Sequence, residues 1–187
     1  RTFTDIEDSD YAGAINTLAT YRIVSGSGDG TFRPQDTLTR AEFCALLAQA
    51  LYDRREGDTG FSDVPADAWY APSPNALTAM GLIRGYSDGL FHPDDPMDHQ
   101  QFLTIMGRLA DYLSMSFHEA AKTEHSAALG DYWAWAAWSR ESVWLLDGSQ
   151  KNIMGQRLSI LWDDLKDIDP TALTTREEAA TMVYNLF

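Results

Sequence analysis

The stretch Gly26-Ser27-Gly28-Asp29-Gly30-Thr31-Phe32-Arg33-Pro34 returns 59 residues later as Gly85-Tyr86-Ser87-Asp88-Gly89-Leu90-Phe91-His92-Pro93. Upstream, Phe3-Thr4-Asp5-Ile6 pairs with Phe61-Ser62-Asp63-Val64, and downstream Thr39-Arg40-Ala41-Glu42 pairs in position with Asp98-His99-Gln100-Gln101. A third copy is faint at its start and clear at its end, where Thr175-Arg176-Glu177-Glu178 repeats the Thr-Arg-x-Glu element. Pro34, Pro93 and Pro170 each stand five residues before that element. Behind it, apolar residues fall at the same offsets three times: Phe43, Leu46, Leu47, Ala50 and Leu51; Phe102, Ile105, Met106, Leu109 and Ala110; Ala179, Met182, Val183, Leu186 and Phe187. That spacing is the stripe of a helix burying one face. Each copy therefore reads as helix, glycine-rich turn, short extended piece and helix. The leading helices are expected over Tyr11–Tyr21, Asn75–Met80 and Tyr132–Leu145, with Pro72 and Pro74 delaying or distorting the second. The Asp-Gly turns call for positive φ, which glycine accepts without strain. No single repeat buries enough surface alone, so the copies are expected to pack together. The repeats span residues 1–57, 58–115 and 116–187, and the third carries an insertion at about 149–165 in which a short helix is expected.

The rest of the composition narrows the function classes. The 187 residues are 44% hydrophobic and 22% charged, a globular balance, and carry a net charge of −14. That acidity argues against a nucleic-acid partner, and an anionic ligand must be held by local cations against the global field. No apolar run approaches the length of a membrane span. The repeat pattern starts at Phe3 with no export signal before it, so an exported protein would have lost that signal. The single cysteine, Cys44, permits no internal disulfide and falls on an apolar helix face, where a buried inert thiol is expected.

Three elements invite a chemical reading. Thr39-x-x-Glu42 and Thr175-x-x-Glu178 fit the capping box, with Asp98-x-x-Gln101 as a variant. Capping leaves Arg40 and Arg176 unexplained, because a cation in the first turn opposes the helix dipole. One reading makes them forks for an anion beside a helix N-terminus; the other makes them braces to a neighbouring repeat. His99 holds the same place in the second copy as a weaker, pH-dependent cation. The Asp-Gly loops are poor calcium loops: Ser25 stands where the first acidic ligand belongs, and Arg84 holds that place in the second copy. The aromatic run Tyr132, Trp133, Trp135, Trp138 and Trp144 reads mainly as packing, with Trp133 and Trp69 the aromatics placed to reach a groove. The scattered histidines and the absence of nucleophile or phosphate-loop motifs give no support for an enzyme, a cofactor or a metal centre.

The string Gly-x-x-Asp-Gly-x-Phe-x-Pro, followed at fixed distance by Thr-Arg-Ala-Glu, resembles the S-layer homology family. The resemblance runs from Phe3 to Leu51 in the first copy and through Pro93 in the second. In the third it lies mainly at Thr175-Arg176-Glu177-Glu178 and beyond. It implies a mainly α fold in which three repeats form a pseudo-threefold body around a central three-helix bundle. It also implies a secreted protein on the bacterial cell surface, anchored without covalent chemistry to secondary cell-wall polysaccharide that often carries a pyruvate ketal. Cargo would lie in a fused domain. The resemblance makes Arg40, Arg176, Asp29, Gly30, Thr31, Asp88 and Gly89 the ligand contacts; Arg84 is added as a neighbouring cation. His99, Leu90 and the rebuilt third loop depart from the pattern, so one or two working grooves are expected. The competing reading is a protein-assembly module on the same scaffold.

Overall fold

Three helix starts organise the chain, and each is closed by a reciprocal cap. The computed structural model describes residues 3–55, 59–113, 132, 134–147, 150–151 and 157–187. The Thr39 hydroxyl accepts the amide of Glu42, whose carboxylate accepts the amide of Thr39. Asp98 with Gln101, and Thr175 with Glu178, do the same. These caps open α2 (Arg40–Ala50), α4 (His99–Tyr112) and α6 (Arg176–Leu186). Shorter helices precede them: α1 (Ala12–Thr20), α3 (Pro72–Ala79) and α5 (Arg140–Asp147). The protein is mainly helical. Its strands among the described residues are one antiparallel two-residue pair, Gln150–Lys151 with Arg157–Leu158.

Two of the leading helices differ from expectation. α3 starts at Pro72, earlier than Asn75, because a proline at the first helical position loses no bond it would otherwise make. Pro74 also lies in that first turn, where amides have no intrahelical partner. α5 starts late, at Arg140, because residues 134–139 are drawn into turns and bends. There the Gln100 side chain accepts the Ala136 amide at 2.6 Å and the Trp135 carbonyl accepts Arg140 Nε at 2.8 Å. In the insertion Ile160 and Leu161 are buried, and the only described helical turn is a 3-10 turn at Leu165–Asp167.

The chain divides into two units, one comprising residues 1–97, 174–185 and 187, the other residues 98–173 and 186. In the first, α2 packs on α3, and Ile15, Phe32, Phe43, Leu47, Leu77, Phe91 and Met182 are buried. In the second, α4 packs on α5, and Phe102, Leu103, Met106, Val143 and Leu146 are buried. Gly107 permits that approach, since a Cβ there would stand 2.4 Å from Ser142 Cβ. Among the described residues no helix is long and apolar enough to cross a membrane.

The residues just before the three caps meet in the first unit. Leu38 N–H donates to Thr174 O at 3.0 Å, Thr174 N–H to Met97 O at 2.8 Å, and Met97 N–H to Leu38 O at 3.3 Å. Three chain segments far apart in sequence thus close one ring of backbone hydrogen bonds. The free amides of each helix start then find carbonyls in a distant loop. Arg40 and Ala41 donate to Asp95 and Pro93, and Arg176 and Glu177 donate to Asp36 and Pro34, within the first unit. His99 and Gln100 donate to Ala172 and Pro170 within the second. Amides that a helix must leave unpaired are satisfied by the loops that carry the prolines.

Candidate functional site

The glycine-rich loops are built by short-range sterics and one carboxylate each. The Asp5 carboxylate accepts the amides of Phe32 and Arg33, both at 2.8 Å, and Asp63 accepts those of Phe91 and His92 at 2.9 and 2.7 Å. Desolvation pulls both acids upward, but the backbone amides outweigh it and hold them below the ordinary carboxylate range. Arg33 and His92 hold φ of 58° and 56°, a left-handed conformation that these clasps help to fix. A Cβ at Gly26 would stand 2.4 Å from Thr31 O and 2.6 Å from the Phe3 ring, and one at Gly85 2.5 Å from Phe61. The first glycine of the motif and the phenylalanine upstream are therefore one packing unit.

Into these loops reach the side chains at the helix starts. Arg176 Nε donates to Phe32 O at 2.9 Å and Nη2 to Ser25 O at 3.1 Å, with the guanidinium 4.8 Å over the Phe32 ring. Arg40 repeats this on the second loop. Its Nη2 donates to Arg84 O at 2.6 Å, and the guanidinium lies 4.8 Å from the Tyr86 and Phe91 rings. Arg40 is only 6% exposed, and its Nε is buried without a hydrogen-bond partner. His99 Nδ1 donates to Asp169 O at 2.6 Å, and its ring lies 4.8 Å from Trp162. Each of the three thus hydrogen-bonds a loop carbonyl and meets an aromatic face.

A groove of about 520 Å³ opens beside Arg176 in the first unit. Arg22 and Ile23 line it from the end of α1, Ser25–Ser27 and Phe32 from the loop, and Glu42 and Gln49 from α2. Arg54 follows α2, and Trp69 and Ser73 come from the start of α3. Three arginines and a single carboxylate among the described residues therefore share one concavity in a chain of net charge −14. Trp69 is 65% exposed, with its ring edge-on to Tyr70. An exposed indole beside guanidinium forks can take a sugar face and an anion at once.

Of the residues read from the sequence, Arg176 and Trp69 line this groove. Asp29, Gly30 and Thr31 lie in the adjoining loop and are engaged with one another. The Asp29 carboxylate accepts the Thr31 amide at 3.0 Å, the Thr31 hydroxyl, and Arg33 Nη2 at 3.0 Å. The bonds from Thr31, with that from Arg33, hold Asp29 down at about 2. Asp88 accepts the Leu90 amide at 2.9 Å and pairs with His92 Nε2 at 2.6 Å, while Gly30 and Gly89 hold φ of 87° and 80°. Arg84 is exposed and offers its carbonyl to Arg40. Trp133 lies outside the described residues. Tyr132, Trp135 and Trp144 are buried and Trp138 is exposed. Sequence reasoning missed Arg22, Glu42 and Arg54 as groove residues. Arg22 follows α1 with φ of 59°, and neither it nor Arg54 falls in a repeated motif, so no local signal marked them.

Known proteins are similar to the chain in sequence. The chain is 28% identical over 189 residues to Exoglucanase XynX of Acetivibrio thermocellus, covering 99% of this chain and 16% of that protein. It is 32% identical over 93 residues to the Surface-layer 125 kDa protein of Lysinibacillus sphaericus, covering 50% of this chain and 8% of that protein. It is 28% identical over 141 residues to the Cellulosome-anchoring protein of Acetivibrio thermocellus, covering 72% of this chain and 31% of that protein. The chain spans less than a third of each of these relatives. Residues 2–44 and 60–103 both match the family model of the S-layer homology domain, so the pattern of that domain occurs twice in the chain.

Proposed function

We propose that this chain is a non-catalytic anchor that holds a protein on a bacterial cell wall by binding secondary cell-wall polysaccharide in the arginine-lined groove. The observation that carries this reading is the groove itself, where Arg22, Arg54, Arg176 and the exposed Trp69 converge in an otherwise acidic chain. A carboxylate such as a pyruvate ketal suits a guanidinium fork, and a sugar face suits the indole. The family match, and relatives named as surface-layer and cellulosome-anchoring proteins, support a place at the cell surface. The small share of each relative that the chain spans favours a module appended to a larger cargo.

We extend the reading to three repeats, at 1–57, 58–115 and 116–187, arranged about a pseudo-threefold axis with α2, α4 and α6 as its central helices. The ring through Leu38, Met97 and Thr174 supports this, as does the matching use of Arg40, His99 and Arg176. The burial of Arg40 favours a bracing role for it, so the groove at Arg176 is the working one.

The test is co-sedimentation with purified wall polysaccharide, before and after mild acid removes its ketals. Wild-type chain is expected to sediment with the intact polymer only. Arg176→Ala is expected to weaken binding by about tenfold, the loss of a charge-assisted contact. Trp69→Ala, at an exposed position, is expected to weaken it by about fivefold. Wild-type chain that ignores the intact polymer would sink the proposal and favour a protein-binding role.

A further inference from the structure

The groove holds more positive charge than one carboxylate needs. Arg176 spends Nε and Nη2 on the carbonyls of Phe32 and Ser25, so its place is fixed by the protein. Arg22 and Arg54 are exposed and have no side-chain hydrogen bond or ion pair with any described residue. Glu42 is the one acid among the described residues of the lining, and it also accepts the Thr39 amide in its cap. Against three guanidinium groups it leaves an excess of two positive charges. Two arginines outside the groove do pair with acids, Arg33 with Asp29 and Arg55 with Asp53, each at 3.0 Å. In a chain with 28 acidic residues and 14 basic ones, two arginines with no acid partner among the described residues share this one concavity. A volume of about 520 Å³ lies within the range of pockets that enclose a ligand of several rings, so two anionic groups fit without crowding.

We infer that the groove binds a ligand segment bearing two separate anionic groups, one seated on Arg176 and the other on Arg22 and Arg54. This rests on the anchoring reading for the nature of the ligand, but the charge count stands without it. A ligand with a single carboxylate would leave one cationic pole uncompensated. The second pole therefore selects among wall polymers by charge density, and Arg22 and Arg54 act as specificity residues.

The experiment uses defined probes in place of the polymer. Acetate carries one carboxylate; malonate, succinate, glutarate and adipate carry two at increasing separation. Binding is followed by amide chemical shifts in the full chain at low salt. At least one dicarboxylate is expected to bind about ten times or more tighter than acetate, because the second charge-assisted contact is made without a second association event. That preference is expected to vanish in the Arg22→Gln/Arg54→Gln double variant. Both sites are exposed, so the variant keeps its fold, which the unperturbed shifts of core residues verify. Dicarboxylates no better than acetate, or a preference that survives the double variant, overturn the inference. A preference present in a chain that ignores wall polysaccharide upholds the two-anion groove and sinks the anchoring reading instead.

Discussion

Replacing Gly26 with alanine isolates the steric logic of the loop. Gly26 does not occupy the left-handed region, so alanine meets no φ penalty there and the cost in the folded state is spatial. The new Cβ would stand 2.4 Å from the Thr31 carbonyl oxygen and 2.6 Å from the Phe3 ring. The Thr31 oxygen already accepts the Ser27 amide at 2.9 Å, so it cannot retreat without stretching that bond. Phe3 is buried with its ring 5.3 Å from that of Phe32, so it has no free volume to enter. Overpacking of this kind costs about 1–3 kcal/mol, and a backbone obstacle places it near the upper end. Loss of glycine freedom in the unfolded chain returns about 0.4–1 kcal/mol. The net is about 2 kcal/mol, which for a chain of this size lowers Tm by about 4–8 °C. Gly13→Ala is the matched control. Gly13 lies in α1, and a Cβ there would meet nothing within 4 Å, so alanine is expected to stabilise by about 1 kcal/mol. Urea unfolding followed by tryptophan fluorescence reads both. If Gly26→Ala falls within about 0.5 kcal/mol of wild type, below the range that overpacking costs, the close approach does not govern the loop and the reasoning fails. Because Gly26 also lines the groove, the same variant is expected to weaken polysaccharide retention.

Two more outcomes follow from titrating groups. Asp5, Asp63, Asp88 and Asp169 all titrate below the ordinary value of 3.8, and Asp29 titrates at about 2. A depressed folded pKa stabilises fully above the unfolded value and is lost as pH falls through the folded one, so stability should drop from about pH 4 to about pH 2. Chemical denaturation across that window should show a shallower drop in Asp5→Asn, and an equal slope would refute the clasp. Burial pushes the Cys44 thiol up to about 12, against a smaller opposing pull from Arg40. An aromatic disulfide reagent at about pH 8 should therefore leave Cys44 untouched in folded chain and titrate it in urea, whereas prompt labelling of folded chain would contradict its burial.

The parts of the fold that were legible in the sequence are those set by local chemistry. Thr39, Asp98 and Thr175 announce helix starts because a short polar side chain and a partner three residues on suffice to define the cap. The recurrence of Gly26 at Gly85, and of Phe3 at Phe61, marks a contact that only those sizes allow. What was hidden depends on distant partners. The helix starts find carbonyls far along the chain, and no local pattern encodes which loop serves which helix. The arginines show the same limit. Arg40 and Arg176 share one motif, yet one is shut between aromatic rings and the other faces a groove. The neighbour decides: Tyr86 stands beside Arg40, whereas Ser27 holds the matching place beside Arg176.

The hydrogen-bonded ring through Leu38, Met97 and Thr174 bears on the order of assembly. Leu38 must wait for Thr174, and Met97 must hold its own carbonyl open for the same residue. Closing so long a loop carries an entropic cost that local helices do not meet, and it is met before any long-range contact compensates it. During synthesis the first two caps can form, but their flanking amides and carbonyls stay hydrated until the segment around Thr174 emerges. A chain lacking Thr174 would leave Leu38 N–H and Met97 O without these partners, so the three segments are expected to lock together in one late step.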